Sequence, residues 1–180
     1  ENCTISNCDF SNLGGNGLFF SRYNRNDIVS GCHFTRIGAS AVLFVGDTSA
    51  VRSPSFEYWQ SVDISKMDFA SGPKNLNYPF NCTVEDNLIH GIGLFEKQIT
   101  GVELSMCRNI TVSHNSIYDV PRAGINVSEG TWGGHIIEYN DIFDTVKETG
   151  DHGSFNSWGR DRFWHADYSQ MCDIAEKHPE

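Results

Sequence analysis

Short runs of alternating apolar and polar residues recur along the chain at a spacing of about 25 residues. The windows Asn2–Phe10, Asn26–Phe34, Asn81–Ile89, Asn109–Ile117 and Gly134–Ile142 align without gaps, with starts 24, 55, 28 and 25 residues apart. Their fourth position is always β-branched (Ile5, Val29, Val84, Val112, Ile137) and their ninth is Phe or Ile (Phe10, Phe34, Ile89, Ile117, Ile142). The seventh holds Cys8, Cys32, Asn87, Asn115 and Asn140, which in stacked rungs predicts a ladder of amide hydrogen bonds. Further along each copy, Gly17, Ala41, Gly101 and Gly124 precede a second apolar strand: Leu18–Phe20, Val42–Phe44, Val102–Leu104 and Ile125–Val127. Period-two alternation marks half-buried strands, and a fixed long period marks a solenoid. The pattern predicts an all-β chain, a right-handed parallel β-helix of about five rungs about 4.8 Å apart. An antiparallel sandwich would not need one residue type in the same column of every copy. A leucine-rich repeat would need a helical half that is missing.

Two stretches break the period. Residues 48–80 carry Pro54, Pro73 and Pro79 with Phe56, Tyr58, Trp59 and Phe69, an apolar insertion expected to pack against a helix or wall a cleft. After Trp164 the pattern changes, and Tyr168–Lys177 predicts one short helix. The reading is therefore a β-helix over residues 1–165 and a short helical segment over 166–180. The chain opens on Glu1 inside a rung and stops at Glu180 beside that helix, as expected for an excerpt of a longer protein.

A chain of 180 residues with 39% hydrophobic and 20% charged residues can bury a core. Its formal net charge of −10 disfavours nucleic acid and anionic membrane surfaces, and it is compatible with neutral sugars. Sequons stand at Asn2, Asn81, Asn109 and Asn126. With six cysteines they favour a secreted, extracellular glycoprotein, glycosylated at Asn2, Asn81 and Asn109, over a cytosolic protein with buried thiols. Cys8 and Cys32 share a column, which suits either a disulfide or stacked free thiols.

Acidic, aromatic and histidine residues crowd the later rungs, above all between Thr149 and Trp164. This segment joins Asp151, Asp161, Arg160, Arg162, His152, Trp158 and Trp164 to glycines that allow tight turns. Sugar sites need that mix: polar forks for hydroxyls and an aromatic ring for the apolar face. Asp119 and Asp144 fall at one position of successive rungs, about 5 Å apart, so they are either an acid/base pair or turn residues capping backbone N–H groups. Glu103 and Asn126 replace the apolar Phe19 and Leu43 of earlier rungs, and Asn156 continues the column, giving either a wet groove or a solvated face. Asp161, between two arginines, also suits a structural ion pair. His90, His114, His135 and His152 lack zinc-site spacing, and calcium at Asp119, Asp141 and Asp144 is not specifically signalled. No metal or cofactor is expected.

The runs Ile117–Asn126, Thr131–His135, Thr149–Gly153 and Asn156–Arg162 resemble the right-handed β-helix carbohydrate-active enzymes, most closely glycoside hydrolase family 141 and its relatives. The resemblance covers about residues 80 to 180 and implies a secreted glycoside hydrolase with an acidic pair in its groove. Family members are much longer, with rungs before and after such a piece. Asp119, Asp151 and Asp161 lie inside the matching runs and are the candidate catalytic carboxylates. Glu103, Arg122, Asn126, His152, Asn156, Trp158 and Arg160 are the candidate sugar-binding residues. The expected partner is a polysaccharide or glycan, with further rungs of the same longer protein as neighbours. The rival readings are a non-catalytic β-helix that binds glycans or builds an extracellular assembly, and a polysaccharide lyase using Arg as base.

Overall fold

The computed structural model describes residues 1–54, 59–60, 62–129, 132–150, 152–158, 165 and 167–177. Three parallel sheets run the length of the molecule, each taking one strand from every rung. The first stacks Thr4–Ser6, Ile28–Ser30, Thr83–Glu85, Thr111–Ser113 and Ile136–Glu138. The second stacks Asp9–Leu13, His33–Ile37, Leu88–Ile92, Ser116–Tyr118 and Asp141–Ile142. The third stacks Leu18–Ser21, Val42–Val45, Thr100–Ser105, Ala123–Ser128 and Phe155–Trp158. Every pairing is parallel and in the register that the sequence columns predict: Ile5, Val29, Val84, Val112 and Ile137 lie side by side. So do Phe10, Phe34, Ile89, Ile117 and Ile142.

These columns are the core. Val29, Val84, Val112, Phe34, Ile89 and Ile117 are fully buried, while the members in the two end rungs are partly open. Phenylalanines continue the stacking, with Phe10 on Phe34 at 4.8 Å and Phe20 on Phe44 at 4.7 Å between ring centres. Ile117→Ala removes buried methyls between two filled rungs that cannot collapse into the space. It is expected to cost about 2–5 kcal/mol of stability in a urea titration.

Between the first and second sheets runs the polar ladder. The side-chain oxygen of Asn115 accepts from both the backbone N–H (3.0 Å) and the amide (2.9 Å) of Asn87. Asn140 does the same for Asn115, at 3.0 and 2.9 Å. Each amide also reaches back to a carbonyl of the preceding rung: Asn87 to Val29, Asn115 to Val84, Asn140 to Val112. Cys32 takes the same place with its thiol, which donates to the Ile5 carbonyl at 3.6 Å. Cys8 and Cys32 are free thiols, as are the other four cysteines.

A second, outer ladder joins the sequon asparagines to their neighbour: the Asn26 amide donates to Asn2 and the Asn81 amide to Asn26. In the fifth rung this position is Gly134, at positive φ, where a Cβ would collide with the Asn109 side chain.

The insertion leaves the third sheet after Val45 and returns at Pro79–Phe80, which pairs with Asn24–Arg25. Arg25 pins the return, lying over the Tyr23 and Tyr78 rings at 4.6 and 4.5 Å and donating to the carbonyls of Leu76 and Tyr78. The α-helix Tyr168–Lys177 buries Ile174 against Met67, Val62 and Phe69 of the insertion. These four residues form a small second core, separate from that of the solenoid.

Candidate active-site groove

Outward-facing positions of the third sheet change character along the axis. Phe19, Leu43, Glu103, Asn126 and Asn156 form one column. The first of these is 55% exposed, whereas Asn126 is 2% exposed. A polar residue that displaces an apolar one on a covered face needs partners. They come from the neighbouring rungs, because side chains in one column stand about 4.8 Å apart. The Asn126 amide donates to both oxygens of Glu103, at 3.0 and 2.9 Å, and its own oxygen accepts from the Asn156 amide at 2.7 Å. Ser128, two residues on and therefore on the same face, donates to Glu103 Oε1. Thr100 donates to Oε2 at 3.3 Å.

Glu103, Asn126 and Ser128 line an open groove of about 360 Å³ together with Leu43, Ile99, Arg122 and Trp158. Arg122 is 8% exposed and binds the His152 ring, Nη2 to Nε2, at 2.7 Å. A guanidinium only donates, so His152 Nε2 accepts. Arg122 Nε is buried and has no hydrogen-bond partner among the described residues.

Burial pushes the Glu103 carboxyl above the ordinary glutamate range. Hydrogen bonds from Ser128 and Asn126 and the charge of Arg122 pull the other way, and burial prevails. A carboxyl whose proton affinity rises on folding stabilises the fold at acid pH. That contribution is complete below the unfolded value and is lost as pH rises through the raised folded value. Glu103→Gln keeps the shape without the charge, so wild type should lose stability relative to it from about pH 4.5 upward. The expected difference is about 1.4 kcal/mol for each tenfold gain in proton affinity. Thermal melts of both proteins between pH 4 and 8 check this; a constant difference would contradict it.

Of the residues predicted from sequence, Glu103, Arg122, Asn126, His152, Asn156 and Trp158 thus converge on one site. Asp151, Arg160 and Asp161 lie outside the described residues. Asp119 is elsewhere. It occupies a turn at φ 52°, shares Lys147 with Asp144 (2.5 and 3.1 Å), and lines a separate cavity of about 160 Å³. Asp119 and Asp144 share a column as their sequence positions predict, and a lysine bridges them. Thr100 and Ser128 escape a reading by composition; the signal for Ser128 is its spacing of two from Asn126. Asn2 and Asn81 are exposed, but the Asn81 amide is committed to the outer ladder. Among the described residues no group of three or more His, Cys, Asp or Glu side chains could hold a metal ion.

Three stacked parallel sheets with a polar groove on the third define a parallel β-helix. Over residues 1–161 the chain matches the family described as the right-handed beta helix region, and it belongs to that family. A search of curated proteins finds no match. Among solved structures, a glycoside hydrolase superposes with a TM-score of 0.59 at 18% identity, over 87% of this chain and 25% of that one. The chain therefore spans a quarter of that hydrolase's length, and the likeness is one of fold.

Proposed function

We propose that this chain forms the groove of an extracellular glycoside hydrolase that cleaves a glycan laid across the third sheet. The observation that carries the reading is Glu103: a carboxyl made more basic by burial, beside Arg122 and Trp158, in an open groove. Glycoside hydrolysis needs one carboxylic acid to protonate the leaving oxygen and a second carboxylate to attack the anomeric carbon or to activate water. Glu103 suits the first role, because a raised proton affinity keeps an acid loaded nearer neutral pH. Trp158 offers a face for a sugar ring, and Arg122 and Asn156 offer polar contacts to its hydroxyls. For the second carboxylate we look to Asp151, the sequence neighbour of the His152 that binds Arg122, and then to Asp161. Asp119 ranks last, since it lies on a separate cavity and pairs with Lys147.

The test is reducing-sugar release from a panel of neutral polysaccharides by the intact protein and by its Asp119→Asn, Asp151→Asn and Asp161→Asn variants. Loss of turnover in Asp151→Asn or Asp161→Asn supports the reading; retained turnover in all three removes the assignment of the second carboxylate.

One observation favours a second reading, a groove that binds glycans without cleaving them. Both Glu103 oxygens already accept hydrogen bonds, from Thr100, Asn126 and Ser128. A carboxylate so fully engaged can serve as the fixed centre of a binding surface. Tight glycan binding with no turnover in any condition is the result that reading expects.

A further inference from the structure

Outside the groove, Arg108 and Trp132 face one cleft of about 350 Å³, whose other wall is Ser71 and Gly72 of the insertion. Arg108 is exposed, and its side chain makes no hydrogen bond or ion pair among the described residues. The other described arginines are all engaged: Arg22 with Asp47, Arg52 with Asp68, Arg36 with Asn12, Arg25 with carbonyls and rings, Arg122 with His152. In a chain with 23 acidic residues and a net charge of −10, a guanidinium facing a cleft with no carboxylate among its described lining residues is a candidate anion donor.

The mount is rigid. The Arg108 backbone is locked between rungs, its N–H donating to Pro79 and its carbonyl accepting from Asn81. Trp132 leans on the buried Tyr78 ring at 4.7 Å, and Tyr78 in turn carries the Arg25 guanidinium. The indole is thus held in place before binding, and the ordering cost falls mainly on the Arg108 side chain. An indole takes the apolar face of a sugar ring, and a free guanidinium takes a carboxylate or sulfate in a two-point fork.

We propose that this cleft is a second carbohydrate site, specific for a sugar bearing an anionic substituent. It shares with the proposed function only the glycan nature of the ligand, and it requires no catalysis. Arg108 lies three residues beyond Ser105 and Trp132 four beyond Ser128, and both serines stand on the groove face. At about 3.3 Å per residue the cleft is within about 13 Å of the groove's edge, close enough for a branched chain to engage both.

The experiment is a tryptophan-fluorescence titration of the intact protein with the methyl glycoside of glucuronic acid, glucose 6-sulfate and methyl glucoside. The two anionic sugars should bind at least tenfold more tightly than the neutral one, and whichever is tighter fixes the nature of the anion. Arg108→Gln should abolish that preference, and Trp132→Leu should weaken all three sugars. Equal binding of the three sugars, no binding of the anionic ones, or anion preference surviving in Arg108→Gln would overturn the proposal. Because the readout is binding, a missing hydrolytic activity leaves this result intact.

Discussion

Asn115→Ala is expected to cost about 3–6 kcal/mol, enough to leave the β-helix marginal at room temperature. The asparagine is 1% exposed, and its side chain carries five hydrogen bonds. Its two amide hydrogens are shared among the oxygens of Val84, Ser113 and Asn140, and its oxygen accepts twice from Asn87. Alanine strands the buried N–H of Asn87 and one hydrogen of its amide, while the Asn140 oxygen keeps only the backbone N–H of residue 115. Each stranded buried group costs about 1–3 kcal/mol, more than the bond contributed while it existed. Asn115→Asp keeps the acceptor, but it sets oxygen against oxygen at Asn140 and buries a charge, so it should be nearly as damaging. Asn140→Ala in the fifth rung should cost clearly less, since Asn140 is only partly buried and no ladder asparagine follows it among the described residues. Urea titration ranks the three, and an Asn115→Ala protein within 1 kcal/mol of wild type would contradict the ladder's role.

What could be read in the sequence was whatever repeats. The inward columns, the asparagine ladder and the Glu103–Asn126–Asn156 stripe all follow from one period, because parallel in-register stacking turns a column of letters into a row of contacts. The helix Tyr168–Lys177 was legible for the same local reason, a change of period. Contacts made by the irregular connections were not. Lys147 sits in a connection after the fifth rung's second strand, so nothing in the pattern announces that it ties down Asp119 and Asp144. The pairing of Arg122 with His152 crosses 30 residues with no shared column. The Arg108–Trp132 cleft depends on an insertion that has no period at all. Glu103 was visible as a polar exception but not as a candidate acid. Its proton affinity is set by how deeply its neighbours bury it, and depth is a property of the assembled rungs.

Glu103→Gln should lower turnover by about 10²–10⁴-fold, the usual worth of a positioned general acid. Glutamine has the same shape and can keep the ladder of amides: its oxygen accepts from Asn126, and its NH₂ donates to the rotatable hydroxyl of Ser128 or Thr100. Glycan binding should therefore change little, and the loss should fall on kcat rather than KM. Acidic leaving groups, which need no proton, should recover much of the lost rate in the variant and little in wild type. The most direct measurement is kcat of Glu103→Gln against the wild-type intact protein on one glycan, with its affinity measured on both. A hundredfold or greater loss of kcat with affinity within threefold is predicted. Turnover within threefold of wild type would contradict the acid role of Glu103 and leave the groove a binding surface.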